Sequence, residues 1–495
     1  MADFLVGIDL GTSSVKVGLV AEDGRIVAVA ARTYETSHPY PGWSEQQPEE
    51  WWEATASAAA AVMDALPADG HVVGVGLSGQ SPGHVVVAED GTPLGPAIIW
   101  SDWRAGDEAR LISNLVNPEE MRRYTGFGFP ANASNPLSRL LWLVRHRPTW
   151  IARAAAVLQP KDYIALQLTD RMATDQYSAF SVAHVIERCY HPELFDRLGL
   201  PTSLLPPLLS PEETVGQVTS AASAETRIPE GTPVKIGTID AWCSIFGAGA
   251  LLRGVAVDIA GTSEVIALVT DQAPYQADSG LMPLWPGLFF AGGPTQVGAS
   301  ALHWVWGALL TDRRSFDPVV LEQTAQGSEP GAEGLVFLPY LRGERAPIWN
   351  RHARGVLFNL TDRHRASHLV RAVYEGVAYS VRHVLEVASA ATGQAVYEVR
   401  VTGGGSRSAF WNQVKADVLG LPVIQLESHE SAVLGAAILA GCPDGRPEML
   451  SDLVQRMVRP ARSYPPDIRH KARYDRLFET YKALYAAVKD LYEPV

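Results

Sequence analysis

Val6-Gly7-Ile8-Asp9-Leu10-Gly11-Thr12-Ser13-Ser14 runs directly into Val15-Lys16-Val17-Gly18-Leu19-Val20. The apolar arms read as strands, because Val, Ile and Leu suit a buried pleated surface. Gly-Thr-Ser between them reads as a tight turn. Glycine lets the backbone approach a ligand closely, and successive N–H groups with a hydroxyl can cradle an anion. Asp9 closes the first arm, placed to orient water on a metal ion. The same pattern returns half a chain later in Val257-Asp258-Ile259-Ala260-Gly261-Thr262-Ser263-Glu264-Val265-Ile266-Ala267-Leu268. One such hairpin is common. Two, at the starts of two similar halves, predict a duplicated fold that grips a nucleotide from both sides.

Composition agrees with a large two-part enzyme. A chain of 495 residues is too long for one core, so two large domains are expected. Basic residues number 41 and acidic residues 54, a net charge of −13. No basic surplus is available to neutralise a phosphate backbone or an anionic lipid surface, so neither nucleic acid nor membrane is an expected partner. The three cysteines, Cys189, Cys243 and Cys442, are widely spaced, with no CxxC pattern. They read as buried small hydrophobes, and neither a disulfide framework nor a structural zinc site is expected. The first residues enter a strand without a basic leader, and no run of 18 apolar residues occurs. A cytoplasmic location is the expectation.

Further along, strands are expected over 4–34, 72–78, 84–88 and 97–100, and a helix over 48–66. Residues 105–200 read as mainly helical, broken at prolines. A strand at 233–237 runs into Thr238-Ile239-Asp240. The small-residue segment Phe246-Gly247-Ala248-Gly249-Ala250 marks the expected boundary between domains at 1–246 and 247–495. The second half restarts with strands over 254–269, then helices near 298–310 and 366–392 and a strand at 397–402. That strand ends in Gly403-Gly404-Gly405. A C-terminal helix over 467–491 carries Tyr474, Leu477, Phe478, Tyr481 and Leu484 on one stripe.

Several segments occur in a telling order. They are GIDLGTSSVK at 7–16, PGWSEQQPEEWW at 41–52, GLSGQSPG at 76–83, IIWSDWR at 98–104, LQPKDYIALQLTD at 158–170 and ATDQYSAFS at 173–181. GTIDA at 237–241, AGTSE at 260–264, GLVFLPYLRGERAP at 334–347, RAVYEGVAY at 371–379, VTGGGSRSAFWNQVKADVLG at 401–420 and ESAVLGAAILAG at 430–441 follow. Together they resemble the FGGY carbohydrate kinases of the actin-like and sugar-kinase ATPase superfamily, most of all the xylulokinase branch. The resemblance implies an α/β fold of two ribonuclease-H-like domains with a nucleotide and sugar cleft between them. The N-terminal domain would bind sugar and hold the catalytic base; the C-terminal domain would bind nucleotide. The implied reaction moves the γ-phosphoryl of ATP to a hydroxyl of a small ketose, with Mg2+ as cofactor. Ribulose, a tetritol or a pentitol are alternative acceptors, and a homodimer is compatible with the resemblance. An actin-like chaperone or filament ATPase is the competing class, but the GLSGQ and PKDY segments have no role there.

Residue by residue, Asp240 reads on position alone equally as a helix N-cap and as a general base. The resemblance makes it the base. Asp9 would hold magnesium through water. Gly11, Thr12 and Ser13, with Lys16, would meet the terminal phosphates, and Gly261 and Thr262 would close on them. Gly404, Gly405 and Ser406 would pass under the adenosine, with Asn412 one helix later. Gln80, Ser81, Pro82, Trp100, Asp102, Arg104 and Ala241 would line the sugar pocket beside Asp240. The chain departs from the xylulokinase pattern here. Ser81-Pro82 stands where that branch carries a larger residue and a histidine, and Ala241 where it carries asparagine. Polar pocket groups dominate discrimination between sugars, so D-xylulose is not the expected best substrate.

Overall fold

The computed structural model describes residues 2–126, 131–272, 281–309 and 315–492. Residues 127–130, within the expected helical stretch, and residue 310, at the end of the expected 298–310 helix, lie outside them.

The N-terminal half opens with β1 (Ala2–Leu10), β2 (Ser14–Ala21) and β3 (Ile26–Thr33), then α1 (Pro48–Met63) and β4 (Gly70–Gly79). After a helical excursion it returns through α2 (Pro160–Thr169), β5 (Thr214–Gln217), β6 (Pro233–Ile239) and α3 (Asp240–Gly247). The six strands form one sheet in the order β5-β6-β4-β1-β2-β3. The β1–β2–β3 edge is antiparallel, whereas β1, β4 and β6 run parallel.

The second half repeats this plan. It contains β7 (Val255–Ala260), β8 (Glu264–Thr270), β9 (Met282–Trp285), β10 (Leu288–Pro294), α4 (Ala366–Thr392), β11 (Glu398–Thr402), α5 (Ala409–Leu419), β12 (Val423–Leu426), α6 (Ser431–Ala440), β13 (Pro460–Tyr464) and α7 (Ile468–Val488). Its seven-stranded sheet is ordered β9-β10-β8-β7-β11-β12-β13. The series β10-β8-β7-β11-β12 matches β3-β2-β1-β4-β6, with three antiparallel strands followed by two parallel ones. Each half therefore starts with a hairpin whose turn sits where the parallel strands end.

Helix α6 joins the halves. Its sequence, SAVLGAAILA, is apolar all round, and every residue except Ala432 is buried. Such a helix has no solvent face to lose. It lies on β1 and β4 of the other half and crosses α3. Glycine sets the distance. A Cβ at Gly7 would stand 2.1 Å from the Val433 carbonyl oxygen, and one at Gly76 would stand 1.9 Å from that of Ala436. On the helix–helix side, a Cβ at Gly435 would meet the Cys243 carbonyl oxygen at 1.9 Å. The core around this helix draws Leu5 and Val20 from one sheet, Val257 and Ala267 from the other, and Phe246 and Leu434 from the crossing helices.

Two sequence expectations need correction. Residues 105–200 are less helical than expected: 171–191 forms turns and isolated bridges, with Ser181 and Arg188 at positive φ. The prolines act differently too. Pro118, Pro136, Pro148, Pro160 and Pro192 each open a helix, where a missing N–H costs nothing and the fixed φ is already helical. Among the cysteines, Cys243 and Cys442 are buried, but Cys189 is half-exposed in the 171–191 region. Among the described residues no helix is long and apolar enough to cross a membrane.

The close contact at α6 makes a prediction. Gly435→Ala should lower stability by about 1–3 kcal/mol, because a methyl group there meets backbone rather than a movable side chain. Gly106→Ala, in a helix with nothing near the added carbon, should stay within about 0.5 kcal/mol of the parent. Urea denaturation of both variants checks the pair; equal stabilities would contradict the close contact.

Candidate active site

The first glycine turn closes on itself. The Gly11 N–H donates to the Ser14 carbonyl at 3.0 Å, and the Tyr34 hydroxyl donates to the Gly11 carbonyl. The second turn does the same, from the Gly261 N–H to the Ser263 carbonyl at 3.0 Å. Both glycines are thereby shape-setting residues. Among the described residues the Thr12, Ser13 and Thr262 N–H groups make no such bond, so they are the donors an anion would meet. Aligned on Gly-Thr-Ser, the second turn carries Ile259 where the first carries Asp9. Only the first turn carries a carboxylate at that position.

Asp9 accepts a hydrogen bond of 2.7 Å from the Ser78 hydroxyl on the neighbouring strand β4. Burial raises its pKa, opposed by Ser78 and by Lys16. Lys16 itself pairs with Glu430 at 2.5 Å, a contact between the first hairpin and the start of α6. Asp240 is the first residue of α3. It takes the Ala241 N–H at 2.7 Å, so the helix end orients its carboxylate. Burial, reinforced by the charge of Asp9, pushes the Asp240 carboxyl up to about 7. The two carboxylates, one near the end of β1 and the other just after β6, are thus within electrostatic reach of each other.

The expected sugar residues divide into two groups. Gln80 follows β4; its N–H donates to the Leu10 carbonyl at 2.7 Å, and its side-chain amide donates to the Gln46 oxygen at 2.9 Å. Its own side-chain oxygen and the Ser81 hydroxyl are buried without a partner among the described residues. Both are available to a polar ligand. Trp100 is about 39% exposed and donates its indole N–H to the Thr12 hydroxyl at 2.8 Å, tying the pocket wall to the phosphate turn. Gln46 reinforces that tie by donating to the Thr12 carbonyl at 2.6 Å.

Asp102 and Arg104 belong to the second group. Asp102 is fully buried and takes the Ser44 N–H at 2.6 Å. Arg104 grips it with both Nε and Nη2, pairs with Glu45 at 2.8 Å and lies 3.5 Å from the Trp43 ring centre. This guanidinium is committed on every side. Arg139 is committed only through its two terminal nitrogens; its Nε is buried without a partner among the described residues. It is fully buried and donates to the carbonyls of Pro82, Trp100 and Asp102. It therefore holds both loops of the pocket wall. Sequence reading gave Arg139 no role; its one signal is an arginine among the apolar positions of Pro136–His146.

On the nucleotide side, Gly403 and Gly405 press against Ala260, directly below the second turn, whereas Gly404 has open space around it. The Ser406 hydroxyl donates to the Gly403 carbonyl at 2.7 Å and contacts His429. Asn412 is buried and donates to the Ser406 carbonyl at 2.8 Å, so it shapes the loop from behind. Below the same turn, Lys415 joins the buried Asp258 and Glu264 carboxylates. Burial and Asp258 raise Glu264 well above the ordinary carboxylate range.

A second buried ion group explains two of the sequence motifs. Lys161 pairs with Asp162 at 2.6 Å and Asp175 at 2.9 Å, and Asp175 accepts the Thr238 hydroxyl at 2.9 Å. Thr238 precedes Asp240 by two residues on β6. The PKDY and ATDQ segments therefore buttress the strand that carries Asp240.

Comparison with known proteins follows this geometry closely. Residues 4–247 match the N-terminal domain, and residues 256–442 the C-terminal domain, of the FGGY family of carbohydrate kinases. The chain is 30% identical to the xylulose kinase of Bacillus subtilis, over 99% of this chain and 98% of that one. It is 29% identical to the gluconokinase of Bacillus licheniformis, over 100% and 98%. The crystal structure of xylulose kinase from Rhodospirillum rubrum superposes with a TM-score of 0.86 at 30% identity, covering 99% of each chain.

Removing the Arg104 guanidinium should act on stability. Arg104→Gln leaves Asp102 buried without its counter-charge, so thermal and urea unfolding should report a loss of about 3–5 kcal/mol. A normally stable variant with only a raised sugar KM would instead make Arg104 a direct sugar contact.

Proposed function

This chain belongs to the FGGY family of carbohydrate kinases, and from that premise we propose that it phosphorylates a hydroxyl of a small neutral ketose or polyol, with Asp240 as the base. The observation that carries the reading is the Asp9–Asp240 pair. Two carboxylates lie within electrostatic reach of each other, one of them beside the first glycine turn, and the other has a proton affinity suited to work near neutral pH. In this reading the acceptor hydroxyl hydrogen-bonds to Asp240, which takes its proton as the new O–P bond forms. Thr12 and Ser13 receive phosphate oxygens from one side and Thr262 from the other. Gly404 and Gly405 form the open floor under the nucleoside.

The residues fit a hard divalent cation. Asp9, the Ser78 hydroxyl bonded to it and Asp240 offer oxygen ligands, and Lys16, the cation nearest to Asp9, is paired with Glu430. When bound, Mg2+ would offset the charge of the transferring phosphoryl group. Asp9, oriented by Ser78, is the residue that would hold it through water.

The pocket argues for a neutral acceptor. Its unpartnered polar atoms, Gln80 Oε1 and the Ser81 hydroxyl, suit sugar hydroxyls. The two guanidinium groups beside it, Arg104 and Arg139, are already committed to Asp102, Glu45 and three backbone carbonyls. A carboxylate on the sugar would find Arg104 fully paired and, on Arg139, only the buried Nε unused. Pro82 and Ala241 add no side-chain hydrogen bond.

Asp240→Asn keeps the size and the hydrogen-bond acceptor but removes the base. Turnover should fall by about 10²–10⁴-fold with nucleotide binding retained. In the parent enzyme kcat/KM should rise with pH to a plateau above about 7 and fall tenfold per unit below it. The stability effect has the opposite sense. A carboxyl whose folded pKa is raised favours folding while protonated and loses that contribution as pH rises through about 7. The Asn variant should therefore match the parent near pH 4 and exceed it by at least about 1 kcal/mol at pH 8. Activity within threefold of the parent would remove Asp240 from the role.

A panel of ketoses, tetritols, pentitols and aldonates assayed for ADP release tests the substrate class. A neutral compound other than D-xylulose should give the highest kcat/KM, with aldonates far below. D-xylulose leading every other compound by a hundredfold, or an aldonate leading the panel, would contradict this reading of the pocket.

A further inference from the structure

The 171–191 region contains a group of side chains that phosphoryl transfer does not use. His184, Glu187, Cys189 and His191 fall within eight residues, and a bridge pairs His184 with Cys189. Glu187 lies in a turn with Arg188 at positive φ, and the chain then runs through Cys189 to His191. Cys189 Sγ lies 3.7 Å from His191 Nε2 and 3.9 Å from Glu187 Oε2, and that oxygen lies 4.0 Å from the same imidazole nitrogen. The three atoms form a nearly equilateral triangle. The point equidistant from them is about 2.2 Å from each. Zinc bonds to sulfur at about 2.3 Å and to nitrogen or carboxylate oxygen at about 2.0–2.2 Å. We propose that Glu187, Cys189 and His191 form a binding site for a zinc-type divalent cation, separate from the catalytic cleft.

The surroundings support three protein ligands and an open fourth position. His184 is the fourth candidate, but its Nδ1 accepts the Glu187 N–H at 3.0 Å. The neutral ring therefore keeps its proton on Nε2, which faces Glu187 Oε1 at 3.9 Å and has no lone pair to give. His184 therefore does not ligate. The His191 ring is fixed between Tyr124 and His184, each 5.7 Å away between ring centres. Among the described residues the nearest arginine in sequence, Arg188, pairs instead with Glu213 at 2.8 Å. Thiolate with imidazole selects zinc, cobalt or nickel over magnesium. The bound ion would staple a loop that docks on helix Pro118–Thr125 through the Val185 N–H and the Thr125 carbonyl, 3.1 Å apart.

Cobalt titration of the metal-free full-length protein tests the site. The proposal expects one equivalent bound with a thiolate-to-cobalt charge-transfer absorption, displaced by zinc. Cys189→Ser should abolish the absorption. His191→Ala and Glu187→Gln should each weaken cobalt binding at least tenfold. Saturating zinc should raise Tm in the parent and not in Cys189→Ser. Sugar kinase turnover with Mg-ATP reports that each variant is folded, and Glu187→Gln, on the outermost side chain, provides a variant with little structural risk. Absence of the charge-transfer absorption in the parent, or its persistence in Cys189→Ser, would overturn the proposal.

Discussion

Everything at the cleft depends on one backbone contact. Helix α6 rests on β1 and β4 with Gly7 and Gly76 beneath it, and on α3 with Gly435 against Cys243. No side chain intervenes at these points. The same two strands and the same α3 deliver Asp9, Ser78 and Asp240 to the cleft floor. A shift of α6 would therefore move the carboxylates themselves. Close-packed interiors shift between discrete arrangements more readily than they deform, so such a joint permits rotation as a unit. Lys16–Glu430, at the outer end of the contact, links the first hairpin to the start of α6.

Around that joint the protein concentrates negative charge and then confines it. Burial, reinforced by the charge of Asp9, raises the Asp240 carboxyl to about 7. Elsewhere the buried charges are neutralised locally: Lys161 between Asp162 and Asp175, Lys415 between Asp258 and Glu264, Arg104 between Asp102 and Glu45. Those ion groups each hold their cation within hydrogen-bond distance, whereas Asp240 feels only the negative charge of Asp9 among the described residues.

Much of this was legible in the sequence. The two hairpins, the duplicated plan and the long helices came from apolar periodicity and from glycine-containing turns, which are local signals. Helix 366–392 ends where its pattern ends. Proline was misread as a breaker in 105–200 because the same residue starts and stops helices, and only the fold shows which. Asp102, Arg104 and Asn412 looked like ligand contacts because their types suit ligands. Their partners, Glu45, Trp43 and the Ser406 carbonyl, lie on other segments, and pairing of that kind has no sequence period. Gln46 and Arg139 were overlooked for the same reason. The Glu187-Cys189-His191 triangle depends on how one irregular loop turns, which spacing alone does not specify.

The central claim is that the two halves close as units about α6 to bring both phosphate turns onto one nucleotide. Small-angle scattering measures this most directly, with the enzyme alone, with each ligand, and with sugar plus a non-hydrolysable ATP analogue. The account predicts a smaller radius of gyration when both ligands are present, and a smaller change with either alone. A radius that stays constant under conditions where both ligands are shown to be bound would contradict closure about this joint.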